Sequence, residues 1–213
     1  VILAIAVLTV TCILVFYAGE SGLCRFTLVG ASRALLQLVG YEIPLMLVIA
    51  SVAVLSGSLS LSGIVAFQAK YGWLVGPCLV GVIVFIIAGE AEMERIPFDI
   101  PEAETEIVAG WLTEFSGRKL AFIRLARDIE LFYLSGLAAT LFLGGPLGPV
   151  IPGLEPVLYT VYFIVKSFVF LFAFSTLRAL LARFRIDQMV EFAWKWLIPL
   201  ALIQFLIARW WVI

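Results

Sequence analysis

Between Glu90 and Lys119 the chain reads EAEMERIPFDIPEAETEIVAGWLTEFSGRK, in which eight carboxylates (Glu90, Glu92, Glu94, Asp99, Glu102, Glu104, Glu106, Glu114) outnumber three basic residues. Glu90 and Glu94 stand four apart, as do Glu102 and Glu106. On a helix each pair would share a face and repel when ionised, and close carboxylates hold one proton more tightly than isolated ones do. That is the chemistry of groups that take up and release protons near neutral pH. The plainer alternative is a solvated acidic loop. Against it, Pro97 and Pro101 stiffen the segment, and apolar residues interleave with the acids as if the loop folds back on protein.

Other charges lie inside apolar runs. Glu42 is deep in one, with Arg33 nine residues earlier. A charge at the centre of a bilayer costs on the order of 2.5 to 3.5 kcal/mol on insertion scales, so Glu42 calls for a partner or a polar cavity. Arg33 lies close enough to a helix end to snorkel or pair structurally. Arg124, Arg127, Asp128 and Glu130 crowd together, and their spacing predicts intrahelical pairs Arg124–Asp128 and Arg127–Glu130. Lys166, midway along another apolar run, is a candidate for a proton or ion path, and Lys195 a weaker one. The segment STLRALLARFRIDQM carries Arg178, Arg183, Arg185 and Asp187 and could dock the acidic stretch or simply anchor its helix ends in the cytoplasm.

The elements that must position these groups are membrane helices. The chain has 213 residues, 63% of them hydrophobic, and a mean hydropathy of +1.14, more apolar surface than a water-soluble core of this size can hide. At about 1.5 Å of rise per residue and about 30 Å of hydrocarbon, six spans are predicted. They cover Val1–Ala18, Ala31–Leu55, Leu74–Ala91, Leu120–Leu143, Val157–Leu177 and Phe192–Ile213, with kinks at Pro44 and Pro199. Together they read as one all-α transmembrane domain, 1–213, with an acidic connection at 90–119 between the third and fourth spans. Lysine and arginine concentrate on the first, third and fifth connections, which places those in the cytoplasm. The glycine- and proline-rich stretch from Gly144 to Pro156 reads as a compact outer loop. There is no histidine, and Cys12, Cys24 and Cys78 have no metal-ligand spacing. No cofactor is expected on this chain, and no nucleic acid. The apolar start without methionine predicts a missing N-terminal part.

At these residues the chain resembles a family. RIPFDIPEAETEIVAGWLTEFSG (Arg95 to Gly117) is similar to the signature loop of the NuoH-like family, the H-type membrane subunits of respiratory complex I and their homologues in membrane-bound hydrogenase and sulfur-reducing complexes. SRALLQLVGYEIP (Ser32 to Pro44), ATLFLGG (Ala139 to Gly145) and RFRIDQM (Arg183 to Met189) follow the same family in the same order. The resemblance implies an eight-helix fold of which this chain supplies the last six, in a prokaryotic inner membrane. It implies a non-catalytic subunit of an oxidoreductase complex, without a redox centre of its own. Iron–sulfur clusters, and nickel–iron or quinone, would belong to partners: peripheral electron-transfer subunits on the cytoplasmic face and antiporter-like membrane subunits. By matching position, Glu42 and Glu92 resemble the family's intramembrane acids, Glu102, Glu104 and Glu106 its acidic loop, and Arg95 and Asp99 the frame of that loop. Asp128, Glu130 and Lys166 are added to the expected proton path, and Arg183, Arg185 and Asp187 to the docking face. In quinone-reducing members an Ala-Glu-Tyr type sequence stands where this chain has Ala126, Arg127 and Asp128, a departure that leans toward the hydrogenase or sulfur-reducing branch. Two other readings stay open: a stand-alone ion carrier or channel using Glu42 and Lys166, and a structural anchor whose acids only bind a basic partner.

Overall fold

The computed structural model describes residues 1–102, 104–149 and 153–212; of Glu104, Thr105 and Val212 only the backbone is described. All regular structure among these residues is helical. The long helices are α1 (Ile2–Glu20), α2 (Arg25–Ser56), α6 (Gly117–Leu143), α7 (Glu155–Leu180) and α9 (Ile198–Val212). Shorter ones are α3 (Leu61–Tyr71), α4 (Leu79–Glu92), α5 (Glu104–Ile107) and α8 (Ile186–Phe192), with a 3-10 turn at Gly110–Leu112. A π-helical turn, Ala193–Leu197, joins α8 to α9 just before Pro199, where a missing N–H interrupts the regular ladder.

Among the described residues, four helices are long and apolar enough to cross a membrane: α1, α2, α7 and the continuous run Ile186–Trp211. The predicted third and fourth spans turn out differently. Residues 74–78 form turns, and α4 has only 14 residues, about 21 Å of rise. It can be short because it is wrapped by protein, packing on α2, α6, α7 and α9. Small residues let it approach closely: a Cβ at Gly81 would press on Gln204 and Val48, and one at Gly89 on Phe174. The start of α4 is held by Gln204 of α9, which accepts from the Gly81 N–H at 3.2 Å and donates to the Pro77 carbonyl at 3.1 Å. The fourth span is α6, which has the length but carries Arg118, Lys119, Arg124, Arg127, Asp128 and Glu130 along its first half. In place of a loop after α2, α3 buries Ile64 and Gln68, and Gln68 donates to the Thr140 and Leu141 carbonyls near the end of α6, each at 3.0 Å.

Helix α2 is the axis of the bundle, packing on α1, α4, α8 and α9. Along it Ala34, Gln37, Tyr41, Leu45, Val48 and Val52 recur at helical spacing and are buried. The exposed sides of α1 and α7 and part of that of α6 are apolar, as lipid-facing surfaces are, with Leu3, Phe122 and Phe172 each about 70% exposed or more.

Candidate functional site

The connection 93–116 folds back against the ends of α1, α2 and α6 instead of hanging in solvent. Its first turn places Glu94 at φ 49°, a left-handed conformation uncommon outside glycine, which reverses the chain directly after α4 and drives the carboxylate inward. At the far side Gly110 has φ 53°, and a Cβ there would run into the Pro101 carbonyl, so only glycine closes this loop. Gly30 of α2 lets the Gly110–Trp111 backbone lie against the helix. The Cys24 N–H donates to Glu114 at 2.7 Å, tying the end of the loop to the start of α2. The fifth connection docks on the same loop. Phe184 N–H donates to the Pro97 carbonyl at 3.0 Å, and the Phe184 ring stacks on Phe98 with centroids 5.6 Å apart.

Arg127 organises the charges. Its guanidinium pairs with both Glu94 and Glu102 and lies over the Trp111 ring, 5.5 Å from the centroid. The Glu94 side chain is 7% exposed, Glu102 20% and Arg127 17%. Burial pushes the Glu94 carboxyl up, with Arg127 opposing that shift without cancelling it. The same competition leaves Glu102 at about 7, burial again being the larger cause. Glu106 behaves oppositely: it accepts a 2.6 Å bond from Arg33 of α2, which holds its carboxyl below the usual range. Arg95 bonds Asp128 at 2.7 Å.

These pairings replace those predicted from spacing. Glu90 and Glu94 share no helical face, because α4 ends at Glu92; Glu102 and Glu106 do not either, because α5 begins at Glu104. Arg127 forms its close ion pairs with the loop, Glu130 staying within electrostatic reach, and Asp128 answers Arg95 rather than Arg124. The side chain of Glu104 lies outside the described residues.

Deeper in the bundle, Glu42 accepts from Thr9 of α1 at 2.6 Å, and Gln37 donates to the Ala91 carbonyl at 2.7 Å. The second Glu42 oxygen, the Gln37 oxygen and one Glu92 oxygen are buried without a hydrogen-bond partner among the described residues, and the buried Tyr41 hydroxyl lies within reach of Glu92 and Cys12. Glu92 lies within electrostatic reach of Glu42, Glu94 and Glu130. Between α1 and α6 opens an apolar cavity of about 530 Å³ whose polar end is formed by Glu92, Glu94, Arg127 and Glu130, with Trp111 beside them. Glu42, Glu92, Glu94, Glu102 and Glu130 are thus brought into one region. Asp128, two residues before Glu130, points from the opposite side of α6 into a second, polar cleft that Arg95, Asp99 and Arg183 also line and that shares Glu94 and Arg127 with the cavity.

Lys166 stands apart. Its ammonium donates to the Leu143 and Leu147 carbonyls at 2.7 and 2.6 Å, capping the C-terminus of α6 at the end away from the acids. Lys195 pairs with Glu191 on the surface. Arg185 and Asp187 are exposed at the start of α8. Sequence reasoning paired Glu90 with Glu94 but did not single out Trp111 or the bridging role of Arg127. Glu90 is 1% exposed, with both oxygens unpartnered among the described residues. Among those residues no three of His, Cys, Asp and Glu converge in a way that could hold a metal ion.

Comparison with known proteins gives this arrangement its relatives. The family model described as NADH dehydrogenase matches residues 1–209. The H subunit of NADH-quinone oxidoreductase from Brevibacillus brevis is 39% identical over 203 residues, covering 95% of this chain and 60% of that protein. Its counterpart from Dehalococcoides mccartyi strain 195 is 43% identical over 203 residues, with 95% and 55% covered. The chain therefore spans less than two thirds of the length of these relatives. Among solved structures, a chain of the membrane-bound sulfane sulfur reductase, an archaeal respiratory membrane complex, superposes with a TM-score of 0.80 at 32% identity, covering 91% of this chain and 64% of that one. With nearly every residue matched and the bundle superposing on a respiratory membrane protein, the chain belongs to the NADH dehydrogenase family, as a membrane protein related to the H subunit of NADH-quinone oxidoreductase.

Proposed function

We propose that this chain anchors a peripheral electron-transfer module to the membrane and passes protons between the docked face and the bilayer interior, within a complex-I-like respiratory assembly. The observation that carries this reading is the convergence of Glu102, Glu94, Glu92, Glu130 and Glu42, from a loop and three helices, on buried or half-buried ground where one oxygen each of Glu42 and Glu92 has no hydrogen-bond partner among the described residues. Carboxylates in such surroundings stay only if they are neutral, hydrated or transiently paired, which are the states of a proton relay. Glu102 at about 7 gains and loses its proton within the physiological range. Redox chemistry in the docked module would change the field at Arg127, shift protons among Glu102 and Glu94, and pass the change inward to Glu92 and Glu42. Redox groups, iron–sulfur clusters with nickel–iron or quinone, reside in partner subunits on this reading. Arg127, closing on two loop acids at the end of the apolar cavity, supports wiring of the hydrogenase or sulfur-reducing type.

The test is Glu42→Gln and Glu92→Gln in the assembled complex, read as ion transport per electron transferred. Assembly is expected to persist while coupled transport falls at least tenfold, the usual weight of one positioned proton-transfer group being about 100-fold. Unchanged coupling in both variants overturns the relay and leaves an anchor.

A further inference from the structure

The polar cleft on the other side of α6 has a volume of about 530 Å³ and is lined by five arginines, Arg95, Arg124, Arg127, Arg178 and Arg183. Two of these are occupied: Arg95 by Asp128, and Arg127 by Glu94 and Glu102. The remaining acid of the lining, Asp99, belongs to the loop. Arg124, Arg178 and Arg183 form no ion pair among the described residues, although Arg178 lies within electrostatic reach of Glu90 and Arg183 of Glu106. Three guanidiniums from three elements, α6, α7 and the connection after α7, thus face one open space.

Depth in the membrane identifies what they face. Arg124 precedes the outer end of α6, Leu143, by about 29 Å at 1.5 Å per residue, close to the full thickness of the hydrocarbon. Arg178 lies at the opposite end of α7 from Glu155, beside it. Both arginines therefore stand at the level of the inner-leaflet headgroups, on the face that the positive-inside rule assigns to the cytoplasm. Directly beneath, the helix surfaces are apolar. Phe132 lies one turn below Asp128 and is 59% exposed; on α7 Phe174, one turn below Arg178, is buried, while Phe168, deeper and on the neighbouring side of the helix, is 57% exposed.

We propose that this cleft is a binding site for an anionic phospholipid of the cytoplasmic leaflet, its phosphate held by Arg124, Arg178 and Arg183 and its acyl chains lying along Phe132 and Phe168. Guanidinium forks match phosphate oxygens in pairs, and basic pockets between membrane helices on the cytoplasmic side are suited to anionic headgroups. A lipid there would bridge α6, α7 and the docked loop, holding Arg127 and its two acids in place from the membrane side. The inference depends on the membrane placement of α6 and α7 and not on the proton relay.

The experiment uses the complete assembly, purified in mild detergent, stripped of lipid and titrated with phosphatidylglycerol or phosphatidylcholine. Wild type is expected to bind phosphatidylglycerol preferentially. Arg124→Gln with Arg178→Gln should weaken that binding about 25-fold, from about fivefold for each arginine at an anionic surface. Arg118→Gln with Lys119→Gln, the same change of charge outside the cleft, should leave it intact. If the double glutamine variant fails to assemble, Arg124→Lys with Arg178→Lys keeps the charge and is expected to retain preference for phosphatidylglycerol while losing part of its affinity. Equal affinity for the two lipids in wild type overturns the proposal, as does unchanged binding in the glutamine variant. Inorganic phosphate displacing the lipid completely would reassign the cleft to a free anion. Loss of peripheral subunits from the glutamine variant with lipid binding unchanged would reassign it to an acidic segment of a partner. Coupled transport in Glu42→Gln reads the relay separately.

Discussion

Replacing Arg127 by methionine keeps the aliphatic packing and removes the one cation that faces both Glu94 and Glu102. Two carboxylates whose side chains are 7% and 20% exposed then lose their partner. Removing one member of a buried ion pair costs about 3 to 5 kcal/mol because the remaining charge is stranded, and the contact with Trp111 adds about 0.5 to 1 kcal/mol. Arg33→Met provides the scale: its partner Glu106 is 46% exposed, so that loss should stay below about 1 kcal/mol. The deficit at Arg127 should also grow with pH. In the intact protein Glu102 sits at about 7, against 4.5 when unperturbed, so at pH 6 it already carries its proton and needs Arg127 little. At pH 8 it is ionised, and without Arg127 it must either remain as an uncompensated charge or bind a proton against the pH. The assay is unfolding of the solubilised assembly followed by tryptophan fluorescence at pH 6 and pH 8, for wild type, Arg127→Met, Arg33→Met, and Arg127→Met combined with Glu94→Gln and Glu102→Gln. The triple variant should recover most of the loss. An Arg127→Met protein as stable as Arg33→Met at pH 8, or a triple variant no better than the single one, would refute the reasoning.

Glu102 alone gives a second pH signature. The folded state binds more protons than the unfolded chain between about 4.5 and about 7, so this residue withdraws stability as pH rises through that window. Glu102→Gln should flatten that part of a stability profile, and an unchanged slope would contradict the shift. Gly30→Ala places a Cβ 2.5 Å from the Trp111 nitrogen, with backbone on both sides, and is expected to displace the loop and cost about 1 to 3 kcal/mol. Limited proteolysis between residues 93 and 116 should be faster in that variant and unchanged in Gly76→Ala, where a Cβ meets nothing within 4 Å. Lys166→Met uncovers the Leu143 and Leu147 carbonyls, costs about 1 to 3 kcal/mol, and should raise hydrogen exchange at the end of α6 while leaving coupled transport unchanged. A fall in coupling with unaltered exchange would return Lys166 to the ion path.

The helical, membrane-embedded character of the chain follows from composition, because 63% hydrophobic residues in long uninterrupted runs leave no other way to solvate the backbone. The family and the acidic loop were legible for a related reason: RIPFDIPEAETEIVAGWLTEFSG is a long, ordered motif whose prolines, glycine and acids each do a local job that is visible in one dimension. The span boundaries were less legible. Hydropathy adds apolar residues without knowing what surrounds them, so it drew the third span over 74–91 where the helix itself runs Leu79–Glu92 between α2, α6, α7 and α9, and it passed over α3. Charge pairing was not legible at all. Spacing along a helix ranks neighbours at i+3 and i+4, and on that basis Arg127 belonged to Glu130 and Asp128 to Arg124. A left-handed turn at Glu94 and a glycine at 110 fold the loop onto α6, and the pairs that form span 33 residues for Arg95 with Asp128 and for Arg127 with Glu94. Lys166 shows the same limit, since the apolar run around it does not reveal that its ammonium reaches the Leu143 and Leu147 carbonyls at the end of α6. The sequence thus settled which charges the membrane must tolerate, through the hydrophobicity around them. Which charge meets which was decided by the packing of α2, α4 and α6, because long-range electrostatic contacts depend on backbone reversals that no local periodicity encodes.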